Sequence, residues 1–238
     1  MPHSPPPPPP RRSAAVWWAV GAAVVVVLLV AVIAAVLVVR STGGGSQAGA
    51  APSSTSTATG RTCGLPGPSS TTPIGERVVS GPVSFPVSAA PGWSPQRYQL
   101  FSPGAQSAGL RTPVPGHRWD AHAEIGLTTF SPKVSIHEAA RRIIPCIVGS
   151  SRYDSYRPRL EGLTDPEPIT VDGVPAARVT GRILVSRSGL AIAGDVVTVV
   201  VMDSAPQAYF ESDTPIGDTA LAAVANQIFE QLKVARDV

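Results

Sequence analysis

Twenty-six consecutive residues, Ala14 to Val39, carry no charge: AAVWWAVGAAVVVVLLVAVIAAVLVV. A bilayer core of ~30 Å takes about 20 residues of helix. In lipid the backbone polar groups must bond one another, so even a valine-rich run is forced to be helical. Trp17 and Trp18 lie near one end, where amphipathic rings favour the headgroup level. A cleaved signal peptide is the rival reading, but its apolar core is only about 7–15 residues long and closes on a small-residue cleavage site. The run therefore predicts one uncleaved transmembrane helix over 14–39, with membrane lipid as its first partner.

The charge distribution sets the expected orientation. The formal net charge is +3. The excess comes from Arg11, Arg12 and Arg40, which flank the apolar run; from residue 41 onward, 16 basic residues balance 16 acidic ones. Two arginines and the terminal amine before the span outweigh Arg40 after it, which predicts a cytoplasmic N-terminus and a C-terminal part outside the cell membrane. A neutral C-terminal part offers no basic face, so no nucleic-acid partner is expected.

Residues 1–13 hold six consecutive prolines, Pro5 to Pro10. These predict a short polyproline II rod in a Pro-rich cytoplasmic tail. Pro7, Pro10 and Arg12 also match a docking pattern that SH3-type grooves read, although any such run before Arg-Arg makes that match. Residues 40–77 are rich in Gly, Ser, Thr and Pro and poor in large apolar side chains. They read as a flexible linker that holds the rest of the chain off the membrane.

From residue 78 to 238 the pattern turns globular. Val83 to Val87 and Tyr98 to Phe101 are strand candidates. Residues 119–127 alternate, placing Trp119, Ala121, Ala123, Ile125 and Leu127 on one face of a half-buried strand. Ser135 and Glu138 form an S-x-x-E capping box ahead of Ile136, Ala139, Ala140, Ile143 and Ile144, an amphipathic helix that Pro145 is expected to end or kink. Ile169 to Val171, the Asp172-Gly173 turn and Val174 to Ser186 read as a hairpin. Asp195 to Met202 is the most apolar strand and belongs in the middle of a sheet. Ala208 to Ser212 is a short last strand, and 221–232 a closing amphipathic helix. Strands, helix, antiparallel strands and helix define an α+β domain with helices packed on an antiparallel sheet.

The stretch ITVDGVPAARVTGRILV, then GDVVTVVVMDSAPQAYFESDTPIG, then the closing helix resembles PsbP-like α/β/α sandwich domains. It is similar in particular to those of actinobacterial cell-envelope proteins of the LpqN lipoprotein type, over roughly residues 83–235. The resemblance lies in element order and strand texture. It implies a non-catalytic accessory or binding domain and carries no functional residues across. Lipoproteins of that type use a lipidated cysteine, whereas this chain has its apolar helix instead.

The chain has two cysteines, Cys63 and Cys146, both on the expected outer side. An even count in an oxidising compartment favours one disulfide. Two unlinked thiols are the alternative.

Catalytic signatures are missing from the sequence: it has no G-x-S-x-G, S-x-x-K, C-x-x-C or phosphate-binding glycine loop. The His137-Glu138 pair lacks the second histidine of a zinc helix, because Arg141 stands at that position. Asp120, His122 and Glu124 alternate along one strand and have metal-ligand chemistry, with His117 or His137 as partners. The same spacing is what the solvated face of a strand looks like, and that reading is preferred. Arg141, Arg142, Arg152, Arg157 and Arg159, beside Tyr153 and Tyr156, form the candidate contact surface, since arginine and aromatic side chains are enriched at interfaces. No catalytic residue, cofactor or metal is assigned. The expectation is a single-pass, non-catalytic binding or accessory domain of the envelope, with an envelope protein or glycan as its unknown partner. Two other classes stay in view: an envelope hydrolase with an unrecognised site, and a scaffold subunit acting through its Pro-rich tail and membrane helix.

Overall fold

The computed structural model describes Cys63, residues 67–97 and residues 104–235. All of them belong to one compact unit. The Pro-rich tail, the 14–39 span, the first part of the linker and the strand expected at 98–101 lie outside the described residues. Among the described residues no helix is long and apolar enough to cross a membrane.

The frame is a large antiparallel sheet of eight strands. Its path runs β3 (Ser94–Gln96), β4 (Gly104–Pro113), β5 (Asp120–Thr128), β10 (Ala208–Pro215), β9 (Gly194–Met202), β8 (Val174–Leu184), β6 (Arg159–Glu161), with β7 (Glu167–Val171) also paired to β8. A small second sheet joins β1 (Arg77–Ser80), β2 (Val83–Pro86) and β11 (Lys233–Val234). Helix α1 (Ile136–Val148) covers one face of the large sheet over β8 and β9. Helix α2 (Thr219–Glu230) and the small sheet cover the other face. The fold is α+β, as the element order implies.

Local chemistry explains the elements that position the site. Ser135 caps α1 by accepting the Glu138 N–H at 3.2 Å. Glu138 does not complete the box; its carboxylate pairs with Arg142 instead. Pro145 neither ends the helix nor prevents a further turn, since α1 continues to Val148. Proline removes its own N–H and crowds the carbonyl four residues earlier. That carbonyl belongs to Arg141 on the exposed side of α1, where water can satisfy it. Asp172 and Gly173, with φ of 48° and 81°, give the β7–β8 hairpin the two positive-φ residues that a type I′ turn requires.

β9 is an inner strand between β10 and β8, in line with its apolar sequence. β10 is longer than the Ala208–Ser212 segment expected of it. All eight of its residues are buried, including Glu211, Ser212, Asp213 and Thr214. Trp119 also departs from expectation: it precedes β5 and packs with α1, while Ala121, Ala123 and Ile125 pack on the opposite side.

The domain reaches further back than residue 78. The Gly67 N–H donates to the Gly104 carbonyl at 3.0 Å, and the Gln106 N–H to the Pro68 carbonyl at 2.6 Å. Cys63 is disulfide-bonded to Cys146 in α1. The C-terminal part of the 40–77 linker is thus tied to the domain by backbone hydrogen bonds and a covalent bridge.

Candidate functional site

The face of the large sheet that α1 covers only in part carries a ladder of ionisable side chains. Cross-strand pairing sets Arg111 beside His122 and His122 beside Asp213. One pair along, Gln96, Gly109, Glu124 and Glu211 follow one another across β3, β4, β5 and β10. The alternation of β5 that sends Ala121, Ala123 and Ile125 into one core therefore sends His122 and Glu124 to the other face. That face is not solvated: His122 is 2% and Glu124 1% exposed. Tyr209, Trp119 and the segment after α1 cover it.

The segment after α1 supplies the cover and the counter-charge. It turns Arg152 and Tyr153 inward. Arg152 Nη2 lies 2.7 Å from Asp213 Oδ2. His122 stands between two carboxylates, with Nε2 2.7 Å from Glu211 Oε2 and Nδ1 2.8 Å from Asp213 Oδ1. The Tyr153 hydroxyl donates to Asp195 Oδ2 at 2.6 Å, and Trp119 Nε1–H donates to Asp195 Oδ1 at 2.8 Å. The Tyr209 hydroxyl donates to Glu124 Oε1 at 2.8 Å.

Protonation follows from burial and neighbours. Burial disfavours the charged imidazole of His122, but the Asp213 and Glu211 carboxylates outweigh it and hold its pKa at about 10. Burial likewise opposes the charge of Asp213, and there Arg152 and His122 prevail, so its pKa is lowered. For Glu124, burial and the nearby Glu211 carboxylate outweigh the opposing pull of His122, the Tyr209 hydrogen bond and Arg152, and push it to about 8. Burial and Asp213 push Asp195 to about 7 despite its two donors. Burial raises Glu211 as well, with His122 opposing. In mildly acidic solution Arg152 and His122 therefore face ionised Asp213, while Glu124 and Asp195 hold protons.

Arg152 Nη1 also lies 2.8 Å from His122 Nδ1. A neutral imidazole would accept a hydrogen bond there. With two carboxylates against the ring, the protonated form is the better account, and Asp213 then bridges two adjacent cations. Neither carboxylate contact of His122 is a well-aligned hydrogen bond, and Glu211 Oε1 has no hydrogen-bond partner. The cluster is held by charge more than by directional bonds.

His122, Glu211 and Asp213 form a group whose ligand atoms lie within 4.8 Å of one another. Both imidazole nitrogens are already turned to carboxylates, however, and the Arg152 guanidinium supplies the positive charge a metal would bring. A metal here would have to displace Arg152. The residues fit an internal ion cluster better than a metal centre.

The cluster is not sealed. A cavity of about 190 Å³ opens over it, lined by Gln96, Trp119, Asp120, His122 and Arg152, with Arg118 and Tyr156 at its rim. A larger cavity of about 530 Å³ also uses Arg118 and Tyr156 and continues past His117, Arg187 and Leu190. Trp119 and Tyr156 meet edge to face at 5.1 Å, and the Arg187 guanidinium lies 5.3 Å from the Tyr156 ring centre. The two cavities adjoin at Arg118 and Tyr156, and together they give a cleft with aromatic walls and a cationic rim.

The candidate contact surface read from the sequence does not hold together. Tyr153 is fully buried and Arg152 is largely so, because both serve the carboxylates beneath them. Arg141 is near Asp165, Arg142 pairs with Glu138, and Arg159 pairs with Glu161. Arg157 is exposed at a left-handed turn. Of the seven, Arg152 and Tyr156 line the cleft. The expected solvated face of β5 is corrected too: Asp120 is half-exposed and paired with Arg111, but His122 and Glu124 are interior. His117 reaches only the outer cavity, and His137 is exposed on α1. Sequence reasoning missed Glu211, Asp213 and Asp195. Their signal was the placement of three acids inside or beside the two most strand-like segments, where burial demands counter-charge.

Taken with its fold, this defines an antiparallel α+β domain with a buried ion cluster under an open cleft. No family model matches the chain, and no curated protein matches it. Among solved structures the chain is similar to that of LpqN, a protein involved in cell envelope biogenesis of Mycobacterium tuberculosis. The identity is 18%, the TM-score 0.40, and the match covers 64% of this chain and 83% of that one. The type of protein that the sequence resembles is thus also a structural neighbour. At this identity and score the likeness carries no argument about the site.

Proposed function

We propose that the chain is a single-pass membrane protein whose α+β domain lies outside the cytoplasm and binds a component of the cell envelope in the cleft above His122, without catalysing a reaction. The 14–39 run supports the anchor, the charge flanks support the orientation, and the Cys63–Cys146 bridge suits an oxidising compartment. The observation that carries the binding reading is the cleft itself. Its walls offer guanidinium groups, ring faces and an amide, and its one carboxylate, Asp120, and one imidazole, His122, are already held by neighbouring charges. Among the described residues the large apolar side chains are buried or half-buried except Leu163, so a broad hydrophobic docking face is not the alternative.

A hydrolase is the second reading, since a histidine beside an aspartate in a cleft has the parts of an acid–base pair. A general base needs a nitrogen free to reach the substrate. Here both nitrogens of His122 are engaged by carboxylates, which favours binding.

The test is photocrosslinking in intact cells. A photoreactive side chain is placed at position 118 on the cleft rim, or at 230 at the end of α2. Adducts from 118 alone, on a domain that external protease can reach through residues 40–62, are the expected result. Equal adducts from both positions, or a domain protected until lysis, would overturn the reading.

A further inference from the structure

The inner cavity is too small for a whole small-molecule ligand. Such sites usually enclose ~300–1,000 Å³, and this one encloses about 190 Å³. It has room for a head group, and the adjoining cavity of about 530 Å³ can take what the head group is attached to. What lines the inner cavity sets the chemistry of that head group. Gln96 is 5% exposed, and its Nε2 donor has no hydrogen-bond partner. Gln96 lines the inner cavity, and a buried donor left unpaired is costly, so an acceptor reaching that donor would be favoured. Arg118 and Arg187, at the rim and in the outer cavity, have no carboxylate partner among the described residues. Asp120, the one acid on the cleft wall, is neutralised by Arg111. Free guanidinium groups and a free amide N–H are all donors. The planar guanidinium fork matches phosphate oxygens two at a time.

We propose that the cleft binds a phosphate ester, with the phosphate in the inner cavity between Gln96, Arg118 and Arg152 and the esterified group running along Tyr156 toward Arg187. This rests on the binding reading above and names its ligand class. The same phosphate chemistry is carried by soluble esters and by lipid head groups, and the experiment separates the two.

Full-length protein in a neutral polyoxyethylene detergent is titrated calorimetrically with glycerol 3-phosphate and, separately, with dihexanoyl phosphatidylglycerol below its micellar concentration. The expected result is saturable binding of at least one probe. It should weaken at least tenfold in Gln96→Leu and in Arg118→Gln/Arg187→Gln, with glycerol as a blank. Binding of glycerol 3-phosphate assigns the site to soluble esters; binding of the lipid alone assigns it to head groups. Gln96→Leu removes an unpaired donor, so its unfolding midpoint should not fall, which separates a lost ligand from a lost fold. No saturable binding of either probe, or binding that survives both variants, overturns the proposal. Crosslinks from position 118 without phosphate binding would leave the cleft reading standing and remove only the ligand assignment.

Discussion

Arg152 Nη2 meets Asp213 Oδ2 at 2.7 Å on a strand whose residues are all buried, and this contact joins the segment after α1 to the centre of the large sheet. Removing one member of a buried ion pair leaves an uncompensated charge and costs about 3–5 kcal/mol. Asp213→Asn leaves both Arg152 and His122 facing that deficit, so it should fall at the upper end. Urea unfolding of the full chain measures it. The double variant Arg152→Met/Asp213→Leu should lose clearly less than the losses of Arg152→Met and Asp213→Leu added together. Additive losses would show that the pair does not act as a unit.

Stability should fall as solution becomes alkaline. The native pKa values of Glu124 (about 8), Asp195 (about 7) and His122 (about 10) all lie above their ordinary values of 4.5, 3.8 and 6.5. A raised native pKa means the folded state binds the extra proton. Each such group contributes stability fully below its unfolded pKa and loses it as pH rises through the folded one. The windows are about pH 4 to 8 for the two acids and about pH 6.5 to 10 for His122, each proton giving a slope of roughly 1.4 kcal/mol per pH unit. Asp213 runs the other way: its pKa is lowered, so its contribution is lost in acid. The melting temperature should therefore peak in mildly acidic buffer and decline steadily to pH 10. A plateau from pH 5 to 9 would contradict the charge assignment.

Gly126 makes room for Tyr209. A Cβ at this position would lie 2.5 Å from the Tyr209 ring and hydroxyl, the hydroxyl that bonds Glu124. Gly126→Ala should cost about 1–3 kcal/mol by forcing the ring aside. Tyr209→Phe keeps the ring and drops the donor to buried Glu124, which should cost about 1–3 kcal/mol. Combined, the two should be sub-additive, because the alanine already displaces the hydroxyl. Thermal unfolding of the four proteins checks this.

The Cys63–Cys146 bridge spans a sequence separation of 83. On the chain-entropy account, closing a loop of that size constrains the unfolded chain by about 4–5 kcal/mol. Reduction, or Cys63→Ser/Cys146→Ser, should lower the denaturant midpoint correspondingly while the cleft stays formed. Non-reduced peptide mapping should recover the linked pair and no alkylated cysteine.

Much of the frame was legible in the sequence because its signals are local. The Asp172-Gly173 turn, the Ser135 cap and the apolar run of β9 each depend on neighbours a few residues away. β4 was not legible: GAQSAGLRTP has small residues where a strand normally shows branched ones. Gly109 explains part of that, since a Cβ there would lie 2.3 Å from the Ala123 carbonyl oxygen across the pair. The site was harder still. His122 and Glu124 alternate as exposed residues would; burial of His122 depends on Glu211 and Asp213, more than 80 residues away, and Glu124 is buried against the Tyr209 hydroxyl. Arg152 reads as surface charge until the turn after α1 aims it inward. A charge cluster assembled from β5, β9, β10 and one loop has no short-range signature.

The central proposal is that the cleft above His122 binds a component of the cell envelope. Hydrogen exchange on the full chain in native membrane vesicles, compared with the chain extracted into neutral detergent and dialysed, tests it most directly. Binding in the cleft predicts slower exchange in vesicles for amides of residues 115–119, 152–157 and 187–191, with α2 unchanged. Protection confined to α2, or identical exchange in the two preparations, would contradict it.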